Sequence, residues 1–231
     1  MKKRIKWFLE TWWTVILRPI YFYTKLKEES WQEKALTFFI LNSWVLGTAA
    51  TLVVFIVHYI PMGGTLVEGV SGYKFILILP VLTTLAFVFF LITLLILVGM
   101  LASAFFVLFY GLAYLLHYVF IFLGGRGSLN RMLQSMFYSS AIMAFGLFIF
   151  LMMVFSGYGL LDFPLFRTGL GFVYFMALLY GYGLWAVAGR KAYGVPKWKA
   201  FLGAALPVIF LLIFGVLFDK IALPKLQPWI S

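Results

Sequence analysis

The 231-residue chain has no cysteine, only seven Asp and Glu, and only two histidines. Without thiols there can be no disulfide, no thiolate metal centre and no cysteine nucleophile. The acidic residues are missing where chemistry inside a membrane would need them. Glu68, Asp162 and Asp219 fall in the flanks of apolar runs, so no carboxylate accompanies His58 or His117 within a run. Two histidines alone cannot complete a metal site of familiar ligand count or a Ser-His-Asp triad. The reading is therefore of a protein that is not an enzyme and needs no cofactor or metal. From Phe75 to Leu123 there is no Lys, Arg, Asp or Glu at all.

What is present is apolar: 65% of the chain is hydrophobic and 21% aromatic, against 11% charged. That balance lies far outside the range of water-soluble domains and makes the bilayer the solvent. The net charge of +11 does not point to nucleic acid, because the basic residues sit in short flanks of apolar spans. There they set orientation and meet anionic headgroups, at about 1 kcal/mol each. The start Met1–Lys6 is basic like a signal-peptide n-region, but Glu10 and Arg18 interrupt the apolar stretch that should follow. The segment is expected to stay on the mature protein.

The expected fold is all-α, a polytopic bundle of transmembrane helices. Residues 1–30 form a basic, cytoplasmic amphipathic segment and 31–231 a single transmembrane domain. Ile5, Phe8, Leu9, Trp12, Trp13 and Ile16 recur at three- and four-residue spacing between Lys6, Glu10 and Thr14. This pattern predicts a helix lying in the headgroup plane, or docked on the bundle, and ended by Pro19. After a polar linker from Thr24 to Glu29, the Ser30/Glu33 spacing predicts a capping box. It starts a first span at Trp31 that runs to about Tyr59, closed by Pro61 and Gly63-Gly64. Later spans are expected near 133–155, 168–188 and 200–218.

The run 75–123 is about twice as long as one crossing needs. It is a kinked or tilted helix, a re-entrant segment, or two spans split at Gly99. Five crossings place fourteen of the 18 Lys and Arg inside, leaving Lys74, Arg167, Lys220 and Lys225 outside. Six leave eleven inside. The positive-inside bias favours five, with a cytoplasmic N-terminus.

The order of these elements resembles the Yip-one domain family, membrane proteins named for interaction with Ypt/Rab small GTPases. The likeness covers most of the chain. It is carried by WTVILRPIYFY at Trp13–Tyr23 and by LLHYVFIFLGGRGSLNRMLQSMFYSSA at Leu115–Ala141. YGLWAVAGRKAYGV at Tyr182–Val195 and a last apolar helix complete it. The resemblance implies five spans and, in eukaryotes, a link to vesicle trafficking and membrane organisation. The chain lacks the eukaryotic branch's long hydrophilic N-terminal domain and its DLYGP motif, having LRPIY at Leu17–Tyr21. It therefore resembles a short prokaryotic member, which implies a plasma (inner) membrane location.

Two groups of candidate site residues stand out. In Gly124-Gly125-Arg126-Gly127-Ser128, successive amides and Arg126 could hold a phosphate, with Ser128 either a ligand or the N-cap of the next helix. Arg131, Arg190 and Lys191 extend this basic surface toward lipid or a partner. The second group is intramembrane: Ser103, Tyr110, Tyr114 and His117 at seven, four and three spacing, with Gln134 and Tyr138 near the start of the third span. Its plain reading is hydrogen bonding between helices, and its sharper one a cytoplasm-facing cavity. Two functions follow. The first is a membrane organiser or adaptor binding anionic lipid and a protein partner or second copy of itself. The alternative is a transporter or lipid-translocating protein.

Overall fold

Among its described residues, 2–230 without 69 and 71, the computed structural model is helical throughout with no strand. Met1 and Ser231, the outer bounds of the two expected segments, lie outside the described residues. Five helical stretches are long and apolar enough to cross a membrane: Lys34–Thr65, Tyr73–Phe122, Leu129–Gly157, Phe163–Tyr193 and Lys197–Pro228. Side-chain contacts give their directions. Phe39 meets Phe106 and Phe109, and Phe55 meets Phe90, so the first two stretches are antiparallel. Trp31 lies on Phe137 and Gly157 against Val57, so the third runs parallel to the first. Tyr180 against Phe145 and Gly215 against Tyr174 complete the alternation. The linkers at 26–33, 123–128 and 194–196 therefore gather at one end of the bundle, here called the basic end.

Two short helices precede the bundle. α1 (Lys2–Leu17) stops at Arg18 as Pro19 requires. Pro19 does not leave a linker, however: it takes the first position of α2 (Pro19–Lys25), where its missing N–H costs nothing. α1 is docked. Val15 is fully buried, Trp7 and Phe8 meet Phe38, and the Tyr180 hydroxyl donates to the carbonyl of Ile16. A second stripe of α1, Ile5, Leu9, Trp13 and Leu17, is more than half exposed. The helix thus has one apolar face for the protein and another facing outward.

The first span differs from expectation at both ends. α3 (Lys34–Val54) begins at Lys34, and its N-cap Glu33 makes no side-chain cap. The capping box does not form; a turn at 31–33 instead lets the Trp31 N–H donate to the Asn130 side-chain oxygen. Pro61 does not close the helix either. A π turn at Phe55–Tyr59 precedes α4 (Ile60–Val67), with the Ile60 amide reaching back five residues to Phe55. The last span repeats the device: α9 (Lys197–Leu217), a π turn at Phe218–Ala222 and α10 (Leu223–Ile230), with Pro224 two residues after the turn as Pro61 is after the first. The wider turn makes room for the proline ring and its missing donor, so the helix continues.

The long run is one helix, α5 (Tyr73–Phe122), 50 residues with Pro80 inside it and about 75 Å long. Only 6% of its most apolar window is buried. Its buried residues, Val98, Phe109, Leu112, Ala113, Leu116 and Phe120, lie in the half toward the basic end. The excess length is thus taken up within a packed layer at that end rather than by re-entry or a sixth crossing. α6 (Leu129–Ser139) and α7 (Phe145–Gly157), joined by a 3₁₀ turn, form the third span. α8 (Phe163–Tyr193) forms the fourth. All of Met132 to Ala141 is buried, whereas α7 and α9 show apolar side chains outward. This division suits lipid around the spans and a protein core at the basic end.

Candidate functional site

The basic end is built around the loop from α5 to α6. Gly124 (φ +87°) makes the turn, and no Cβ would fit at Gly125 or Gly127, which lie against Tyr193 and the Ala192 carbonyl. The loop is stitched to the end of α8 by the Arg126 N–H, which donates to the Tyr193 carbonyl at 3.0 Å. The Gly124 and Gly125 amides donate to Ile121 and Phe120 carbonyls. Three of the five amides from Gly124 to Ser128 are thus turned to backbone carbonyls and not toward an anion. Ser128 is the N-cap of α6, accepting from the Arg131 N–H at 3.1 Å, and its hydroxyl donates to the Glu28 carboxylate. What faces outward is side-chain charge: Arg126 and Arg190 are exposed, and Arg131 and Lys191 half-buried. Arg190 and Lys191 sit in the last turn of α8, where the helix dipole favours cations, before a Gly194 C-cap at φ +68°. Lys199 donates to the Leu123 carbonyl at 2.7 Å and closes the end of α5.

The polar stripe on α5 divides. Ser103 is exposed, away from the bundle. The Tyr110 and Tyr114 hydroxyls bond to each other at 3.2 Å rather than across helices. Only His117 reaches another span: its Nδ1 pairs with the Tyr193 hydroxyl, which also donates toward the Ser128 carbonyl at 3.4 Å. Tyr193 is the residue missed by sequence reasoning, although it lies within the segment that carried the family likeness. Nearby, the Phe120 ring occupies the space where Gly189 of α8 and Gly203 of α9 have no side chain.

Gln134 and Tyr138 do not join that stripe. They share the α6 face toward the N-terminal segment, whereas Phe137 faces α5 through Trp31 and Phe106. Gln134 Nε2 donates to the Lys27 carbonyl at 3.0 Å, and the Tyr138 ring meets Phe22 and Phe38. Behind them the buried Tyr23 hydroxyl donates to the Ser135 carbonyl at 3.3 Å; burial pushes this phenol far above its usual pKa, so it remains a donor. Gln134 and Tyr138 line a cleft of about 300 Å³ with Thr14, Lys25, Lys27 and Lys34. A cleft is therefore present, but between α6 and the N-terminal segment and not beside His117.

At the opposite end, Arg167 of α8 makes a two-pronged ion pair with Asp219 on the second π turn, at 2.7 and 2.6 Å. Among the described residues no group of three His, Cys, Asp or Glu could hold a metal ion. A family model, the Yip1 domain, matches residues 13–218. No curated protein and no solved structure matches the chain.

Proposed function

As the chain belongs to the Yip1 domain family and is an integral, multi-pass membrane protein, we propose that it is a non-enzymatic organiser or adaptor that works through its basic end. That end engages anionic headgroups of a prokaryotic inner membrane, with the N-terminus cytoplasmic, and the same surface receives a protein partner or a second copy of the chain. The observation that carries this reading is the gathering of α1 and α2, the Arg126 loop and the α8–α9 turn at one end, beside an α1 stripe facing outward. An interfacial helix with apolar residues on one side and Lys3, Arg4 and Lys6 near it suits a charged lipid surface. The transport reading expected the His117 stripe and Gln134 to line one cavity, whereas the cleft at Gln134 is lined by the N-terminal segment and does not include His117.

The test uses the full chain reconstituted in phosphatidylcholine vesicles doped with phosphatidylglycerol, with lipid selectivity read from spin-labelled lipids at the protein surface. Phosphatidylglycerol should be enriched at low salt and lose its preference at high salt. Reversing Arg126, Arg190 and Lys191 to Glu together should remove most of it. Equal retention of both lipids by the wild type would refute the reading.

A further inference from the structure

The cleft between α6 and the N-terminal segment has the chemistry of a site and not of a packing gap. Gln134 is 2% exposed and its Oε1 is buried with no hydrogen-bond partner. Its other end is fixed, since Nε2 already donates to the Lys27 carbonyl. An orphaned amide oxygen costs about 1–3 kcal/mol unless a donor comes to it, and Gln134 is among the residues lining the cleft, through which a donor can approach. Glu29 and Tyr138 line the same cleft, so two further acceptor-bearing side chains stand around it with Gln134. Lys25, Lys27 and Lys34 supply the opposite chemistry; Lys34 is tied to Glu29 at 2.9 Å, and Lys25 lies over the Tyr21 ring and 2.9 Å from its hydroxyl. Tyr21 and Lys25 also form a wall of an adjoining groove of about 550 Å³, lined further by Leu17, Arg18, Pro19, Ile20 and Thr24, with a mostly apolar surface.

A cleft lined by both acceptors and cations, with a mostly apolar groove next door, matches a phospholipid whose headgroup carries both a phosphate and a hydrogen-bond donor. We propose that the cleft holds the headgroup of an ethanolamine phospholipid. Its ammonium donates to Gln134 Oε1 with Glu29 and Tyr138 close by, its phosphate meets Lys25 and Lys27, and an acyl chain lies along Leu17, Pro19 and Ile20. This deepens the reading of the basic end as a lipid-engaging surface and rests on that end lying at headgroup depth. It adds a selective site for a zwitterionic lipid to a surface proposed for anionic ones.

Native mass spectrometry of the detergent-purified full chain, titrated with phosphatidylethanolamine or phosphatidylcholine of the same acyl chains, tests it. The first ethanolamine lipid should bind about tenfold more tightly than the choline lipid, which has no N–H to donate. Gln134→Met, which keeps the volume but removes the acceptor, should bring the two lipids level without weakening choline-lipid binding. Equal affinities for the wild type, or an ethanolamine preference unchanged in a folded Gln134→Met protein, would overturn the assignment. Should that variant not fold, the wild-type ratio together with Lys25→Ala/Lys27→Ala decides: the pair should weaken both lipids several-fold, and no weakening would also overturn it. Phosphatidylglycerol enrichment persisting beside equal affinities condemns the cleft alone, whereas loss of both condemns the reading of the basic end as well.

Discussion

Phe120 shows how single residues close the basic end. Its ring fills the space left by Gly189 and Gly203, so a methyl group at Gly189 would lie only 2.1 Å from a ring carbon. Gly189→Ala should destabilise the protein by about 1–3 kcal/mol through overpacking, read from thermal unfolding followed by tryptophan fluorescence in detergent. Gly183→Ala, with open space at its Cβ, is the control and should leave the transition in place. The difference between these glycines could not be read from the chain, since both sit in one apolar span. The N-cap at Ser128 could be read, because a hydroxyl three residues before a free amide has a fixed use. The pairing of His117 with Tyr193 could not: the residues are 76 positions apart, and only the crossing of α5 with α8 makes them neighbours. The glycine-rich loop at 124–128 suggested an anion nest, yet the Gly124 and Gly125 amides turn back onto the end of α5 and the Arg126 amide bonds to α8.

At the scale of elements, composition located the five spans, because some twenty apolar residues in a row have one use in a bilayer. Their ends were harder. Ser30 and Glu33 have the spacing of a capping box without forming one, and Pro61 and Pro224 look like terminators although a π turn carries the helix past each. In lipid, breaking a helix strands several backbone groups, so widening one turn is the cheaper response to a proline. α1 could not be placed from its pattern alone, since interfacial and docked helices share one amphipathic spacing; here one face is docked and a second apolar stripe is exposed. Its docked face rests on Val15. Val15→Glu would place an unpaired charge in the core at a cost above about 3 kcal/mol, so α1 should come away while the spans stay folded. Hydrogen exchange should show residues 3–17 losing protection with α8 and α9 unchanged. Retained protection in α1 would mean that the helix holds by its outward stripe alone.

For the whole molecule, the consequential feature is the uneven distribution of packing. The half toward the basic end contains the buried aromatics, the α6 core and most of the inter-element hydrogen bonds, while the other half presents Leu, Ile and Phe outward from α5, α7 and α9. Where lipid surrounds helices there is little hydrophobic gain in packing them together; at the headgroups and beyond, water restores it. This accounts for the length of α5, whose final turns from Leu112 to Phe120 are buried in the basic-end layer. It also makes that layer the rigid platform on which Arg126, Arg190, Lys191 and the α6 cleft are presented.

The central claim is that five crossings bring every basic linker to one side of the membrane. Because the chain has no cysteine, single cysteines can be placed at the exposed Ser30, Arg126 and Trp198 at the basic end and at Tyr73 and Leu160 at the other. Intact cells are then treated with a membrane-impermeant maleimide. Tyr73→Cys and Leu160→Cys should label directly, and the other three only after permeabilisation. Labelling of Arg126→Cys from the outside, or of Arg126→Cys and Trp198→Cys from opposite sides, would contradict the account.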